Sequence, residues 1–105
     1  MIAARFALAA AALALAAAAV LAAGAPHEVT IAGLKFAPAQ LMVHRGDTVT
    51  WKNTDVVPHT ATAQGKFDSG RIAPGQSYSR TMNQAGEFDY ICTVHPDMHG
   101  KVIVQ

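Results

Sequence analysis

A second cysteine is missing from this chain. Among 105 residues Cys92 stands alone, so no disulfide can form within the chain. Runs of like charge are missing too. Only 14% of the residues are charged, and no cluster of Lys and Arg offers the basic footprint that nucleic acid requires. After residue 26 there is no 3.6-residue apolar periodicity, so no helix is predicted there. Glycine-rich phosphate loops, nucleophile–base motifs and the paired Cys-x-x-Cys of zinc sites are all lacking. These gaps set aside a disulfide framework, a nucleic-acid binder and the commoner enzyme signatures. They leave a lone thiol to be explained.

The first 25 residues differ in composition from the rest. Arg5 supplies a positive charge, Phe6 to Ala23 is an unbroken apolar run, and Ala22, Ala23, Gly24 and Ala25 are small. That order predicts a helical signal peptide over 1–25, cut after Gly24 or Ala25, with Pro26 disfavouring the second cut. An uncleaved membrane anchor is the alternative, because the run is about as long as a short spanning helix of roughly 17–25 residues. Either way residues 26–105 leave the cytoplasm as one domain, and after cleavage that domain is expected in the periplasm without stable membrane association. Of the eight Lys and Arg, Arg5 goes with the signal, and the seven that remain balance seven Asp and Glu. A domain of about 80 residues buries only roughly 60–65% of its unfolded surface. A free thiol in an oxidising compartment is then buried and inert, paired with another chain, or bound to metal.

The mature part reads as short alternating runs between turns. Val29 and Ile31, Leu41 and Val43, Val49 and Trp51, Thr60 to Ala63, Ser77 to Met82, Glu87 to Cys92 and Val102 to Val104 are the predicted strands. Arg45-Gly46-Asp47, Asn53-Thr54-Asp55, Ala73-Pro74-Gly75 and Ala85-Gly86 separate them. Seven or eight strands spaced this way predict an all-β antiparallel sandwich or barrel. Phe36, Trp51, Phe88 and Tyr90 are the candidate core, and Phe88, Tyr90 and Cys92 share one strand face.

The informative stretch is Cys92-Thr93-Val94-His95-Pro96-Asp97-Met98. It offers a thiolate, an imidazole and a thioether where a core strand ends. His59, after Pro58, opens an earlier strand and supplies a second imidazole. Two imidazoles, one thiolate and a weak thioether are the donors of a blue copper centre. Soft sulfur suits Cu(I), and imidazole serves both oxidation states, so one electron can come and go with little rearrangement. The candidate metal ligands are therefore His59, Cys92, His95 and Met98, for one copper ion.

Cys-x-x-His-Pro-x-Met with an upstream Pro-His resembles the cupredoxins of the plastocyanin and azurin class, with the short ligand loop of the amicyanin branch. The resemblance extends through Gly46 to Trp51, Val57-Pro58-His59-Thr60, Phe67 to Gly70, Pro74-Gly75-Gln76 and Gly100 to Val104. It implies an eight-stranded antiparallel Greek-key β-sandwich, and a type 1 copper protein that carries single electrons and is not an enzyme. It also implies a monomer that meets redox proteins, a dehydrogenase as donor and a cytochrome or oxidase as acceptor. The resemblance assigns Asn53 to tie the two ligand regions together, here through Thr93. The edge of His95, collared by Val56, Val57, Pro58, Val94 and Pro96, is the expected electron exit. Where the short loop commonly has Pro and an aromatic residue, this chain has Val94 and Asp97. That departure argues against methylamine dehydrogenase as the partner.

Each candidate has a plainer reading. Free cysteines and methionines are often core filler. His27 belongs to the mature N-terminus, His44 to a surface strand end, and His99 to a turn, although His99 could also rival Met98 as axial ligand. Asp68 and Asp97 have no carboxylate close in sequence and read as structural or surface groups. Copper storage or delivery is a rival function, with His27 and His99 as its only support. A copper enzyme would need a second histidine-rich site and more chain than there is.

Overall fold

The computed structural model describes residues 24–105, so all but the last two positions of the predicted signal peptide lie outside the described residues. Nine strands follow in order: β1 (Pro26–Ala32), β2 (Lys35–Ala37), β3 (Gln40–Val43), β4 (Thr48–Asn53), β5 (Thr62–Ala63), β6 (Phe67–Asp68), β7 (Ser77–Thr81), β8 (Gly86–Ile91) and β9 (His99–Val104). They form two sheets, ordered β2-β1-β4-β7 and β3-β9-β8-β5-β6.

The all-β two-sheet prediction agrees with this arrangement, but the pairing is mixed. β1 runs parallel to β4 and β3 runs parallel to β9, while the other pairs are antiparallel. Alternation of apolar residues states which face of a strand is buried. It does not state which way the neighbour runs. Two further boundaries differ. The predicted strand from Thr60 shortens to Thr62–Ala63, with His59 bridging singly to Ile72. The last strand begins at His99 rather than Val102, so His99 is a strand residue paired with Ile91 and exposed, not part of a turn.

The inner faces follow the period of two. Val29 and Ile31 of β1, Val49 and Trp51 of β4, Tyr90 of β8, and Val102 and Val104 of β9 are buried between the sheets. Trp51 and Tyr90 meet edge to face with centroids 5.5 Å apart, and Phe36 meets Tyr90 at 4.7 Å. Such pairs add about 0.5–1.5 kcal/mol beyond the area they bury. Phe88, a predicted core residue, is only partly buried and packs against this cluster. The Tyr90 ring lies so close over Gly100 that a Cβ there would collide with it, which is why β9 has a glycine at this register. Burial pushes the Tyr90 phenol up to about 12, with the nearby Trp51 indole working the other way. Neither the phenol nor the indole N–H makes a hydrogen bond of good geometry.

β1 and β2 form a tight hairpin through Gly33 and Leu34, both at positive φ (57° and 59°). Two left-handed residues match the twist of the flanking strands. A leucine there costs about 1–2 kcal/mol without outside help. The help comes from Asp55, whose two carboxylate oxygens accept the Gly33 and Leu34 N–H groups at 2.7 and 3.0 Å.

Candidate metal centre

Three predicted donors converge at one end of the sandwich. β4 ends at Asn53, and a short loop leads to His59. β8 ends at Ile91, and Cys92 to Met98 form the loop into β9. The Cys92 Sγ lies 3.7 Å from His59 Nδ1 and 3.9 Å from His95 Nδ1. All three donor atoms fall within 4.8 Å of one another. Donors each about 2.0–2.3 Å from a shared ion, at tetrahedral to trigonal angles, stand roughly 3.5–3.8 Å apart. The cluster therefore has the size of a first coordination sphere, and its two nitrogens and one sulfur suit copper. Among the described residues no other group of three His, Cys, Asp or Glu comes together in this way.

Met98 is buried at 4% exposure and folds the loop back on itself. Its N–H donates to the His95 carbonyl at 2.9 Å, and its carbonyl accepts the Cys92 N–H at 3.2 Å. The loop thus closes within seven residues, bringing Cys92, His95 and Met98 to one place. Cys92 and His59 are fully buried, whereas His95 is half-buried. The exposed Val94, Pro96 and Val56 and the half-buried Val57 and Pro58 belong to the same two loops, and Val56 is 92% exposed.

The tie between the two ligand loops differs from the expectation. Asn53 does not reach Thr93. Its side-chain amide donates to the Val57 and Ile72 carbonyls, each at 2.9 Å, and its oxygen accepts the Asp55 N–H at 2.9 Å. Asn53 therefore shapes the loop that leads to His59. Thr60 makes the tie. Its hydroxyl accepts the Thr93 N–H at 2.9 Å, and lies 3.0 Å from the Thr62 hydroxyl and 3.1 Å from the Thr93 hydroxyl. The Thr60 N–H donates to the Cys92 sulfur at 3.3 Å. Thr60 directly follows His59 and Thr93 directly follows Cys92. That adjacency is the sequence signal by which this pair, passed over in favour of Asn53, could be found.

Asp55 is the second residue that sequence reasoning passed over. Its Oδ2 lies 2.8 Å from His59 Nε2, the ring nitrogen that faces away from Cys92. The N–H of Leu34, and after it those of Gly33 and the His59 ring, hold the Asp55 carboxyl below the usual carboxylate range, while burial acts against them. An Asp four residues before a ligand histidine has no periodicity to reveal it, and its hairpin partners lie 21 and 22 residues upstream.

The other histidines stay apart from the cluster. His27 pairs with Asp47 at 2.9 Å, and His44 and His99 are exposed. Asp97 is exposed beside Met98, and Asp68 accepts hydrogen bonds from Thr62 and Gly70 within its own turn.

Comparison with known proteins gives the same picture. The family model for the cupredoxin-like domain matches residues 5–104. Amicyanin of Paracoccus versutus is 35% identical over 95 residues, covering 82% of this chain and 72% of that protein. A solved amicyanin variant in its Cu(I) state superposes with a TM-score of 0.71 at 37% identity, over 76% of this chain and 82% of the other. The copper-containing nitrite reductase of Thermus scotoductus SA-01 superposes with a TM-score of 0.72 at 32% identity, over 76% of this chain but only 22% of the reductase. Fold, donor cluster and similarity lead to one conclusion: the chain belongs to the cupredoxin-like family.

Proposed function

We propose that this chain is a type 1 copper protein that carries single electrons, with copper held by His59 Nδ1, Cys92 Sγ, His95 Nδ1 and the Met98 thioether. The observation that carries this reading is the convergence of a fully buried thiol and two imidazole nitrogens within 4.8 Å. Bound copper supplies a Cu(II)/Cu(I) couple that mixed sulfur and nitrogen donors tolerate in both states. The protein supplies the rest. The Thr60 N–H draws electron density from the Cys92 sulfur and so favours the reduced state. The Thr60–Thr93 link holds the two ligand loops in register during the change of charge. Burial of Cys92 keeps water and oxidants from the thiolate. Of the two ligand imidazoles only His95 reaches the surface, and its apolar collar suits brief, small contacts with redox proteins.

The chain acts as a carrier rather than an enzyme. Its amicyanin and plastocyanin relatives are electron carriers, which supports this reading. A dehydrogenase as donor and a cytochrome or oxidase as acceptor fit this role, with the protein a monomer in the periplasm. Residues 1–25 span its signal peptide and the cleavage region, and 26–105 its domain. The Ala25 N–H donates to Asp47 at 2.8 Å, and its carbonyl accepts the Thr48 N–H at 3.0 Å. Cleavage after Gly24 keeps both bonds, so we favour it over cleavage after Ala25. The test of the function is optical. Protein loaded with Cu(II) gives an intense blue thiolate-to-copper band that Cys92→Ser abolishes, and a colourless native Cu(II) complex would overturn the reading.

A further inference from the structure

The His59 ring is gripped from behind by a charge. Its Nδ1 faces the Cys92 sulfur at 3.7 Å, while its Nε2 lies 2.8 Å from Asp55 Oδ2. The ring is fully buried and the carboxylate half-buried, with side-chain exposures of 0% and 17%. The carboxylate is itself fixed by the Gly33 and Leu34 N–H groups, so it cannot turn away without undoing the hairpin. A carboxylate only accepts hydrogen bonds. The proton of a neutral His59 therefore sits on Nε2, which leaves the Nδ1 lone pair free on the side of Cys92 and His95.

We infer that Asp55 is a positioning residue for the copper site: it sets the tautomer of His59 and, through the ring, favours Cu(II) over Cu(I). This inference rests on the copper reading above. A carboxylate on the far nitrogen makes the imidazole a stronger donor, and the more highly charged ion gains more from a stronger donor. Asp55 and Thr60 thus act in opposite directions on the same centre. The Thr60 N–H weakens the sulfur donor, and the Asp55 carboxylate strengthens a nitrogen donor. The hairpin turn at Gly33-Leu34, remote in sequence, becomes part of the site because it holds the carboxylate in place.

The test uses the full domain with two matched variants, Asp55→Asn and Asp47→Asn. Asp47 also holds two backbone N–H groups and one imidazole, but far from the donor cluster, so it reports the purely structural effect of the same change. The measurements are Cu(II) affinity by chelator competition, the Cu(II)/Cu(I) reduction potential, and the His59 ring N–H signal in the NMR spectrum of the Cu(I) form. Asp55→Asn should weaken Cu(II) binding about 10- to 100-fold. It should lower the Cu(II):Cu(I) affinity ratio about tenfold, a rise of roughly 59 mV for one electron. Asp55→Glu should recover part of both, and Asp47→Asn should change neither. Native potential and affinity in Asp55→Asn, or equal shifts in both Asn variants, would overturn the assignment. A native protein without the blue band would overturn the copper reading instead, so the two failures are distinguishable.

Discussion

The strand β4 has an aspartate just before it and another just after it, and the two are built alike. Asp47 accepts the Ala25 N–H, the His44 N–H and the Nε2 of His27. Asp55 accepts the Gly33 N–H, the Leu34 N–H and the Nε2 of His59. Each is a carboxylate binding two backbone donors and one imidazole, and each ties an end of β4 to β1 or to the turn that follows it. They differ in what lies beyond the imidazole. His27 has a side chain 27% exposed and no metal donor behind it, so its bond closes a surface. His59 is fully buried and turns its other nitrogen toward a thiol. One arrangement serves as a clasp at one end of the strand and as part of a metal centre at the other. The chemistry depends on the far side of the ring.

This comparison can be broken in graded ways. The largest effect should come from copper itself. Saturating copper should raise the melting temperature, by about 4 kcal/mol of stabilisation when free copper is a thousand times Kd. Scanning calorimetry of the apo and loaded forms checks this, and Cys92→Ser should erase most of the gain. Equal melting of apo and loaded native protein would deny that the Asp55 end is a metal end.

Next is the hydroxyl of Thr60. Thr60→Val strips the Thr93 N–H of its acceptor beside the ligand loop, which should cost about 1–3 kcal/mol by chemical denaturation. It should also perturb the blue band, whereas Thr60→Ser keeps the hydroxyl and should restore both. A native spectrum and stability in Thr60→Val would show that the tie lies elsewhere.

Acid sharpens the other end. The His44 and Ala25 N–H groups, followed by His27, hold the Asp47 carboxyl at about 2, below its ordinary 3.8. A lowered value means that the carboxylate favours the folded state. Its contribution is complete above about 3.8 and disappears as pH falls toward about 2. Melting curves between pH 6 and pH 2 on the apo-protein should therefore steepen in that window. Asp47→Asn should flatten this loss and leave the copper spectrum unchanged.

The smallest effect belongs to His27. Its pair with Asp47 is partly exposed, so His27→Ala should cost about 0.2–1 kcal/mol. The equivalent change at the other end, His59→Ala, should abolish tight copper binding. Comparable losses at the two ends in copper titration would erase the distinction drawn between them.

The convergence of His59, Cys92 and His95 was legible because a metal restricts its donors. Cys92, His95 and Met98 lie within seven residues, and so short a loop brings them together whatever the rest of the chain does. Pro58-His59 was legible through its resemblance to a known motif, since nothing in its own spacing links it to a thiol 33 residues away. Core residues such as Val29, Val49, Trp51 and Tyr90 were legible because alternation on a strand decides which side meets the other sheet.

Strand direction was not legible, because β1 beside β4 buries the same residues whether the pair is parallel or antiparallel. Nor was the partner of Asn53, because a buried amide bonds to whichever groups the fold brings within reach. Those turned out to be the Val57 and Ile72 carbonyls, which left Thr93 to Thr60. The sequence by itself determined the donor set, the alternation of the core and the turns between strands, each a property of residues close along the chain. The tertiary structure alone decided that Asp55 stands behind His59 while Asp47 stands behind His27. Both contacts depend on where strands far apart in sequence come to lie, and no local pattern carries that information.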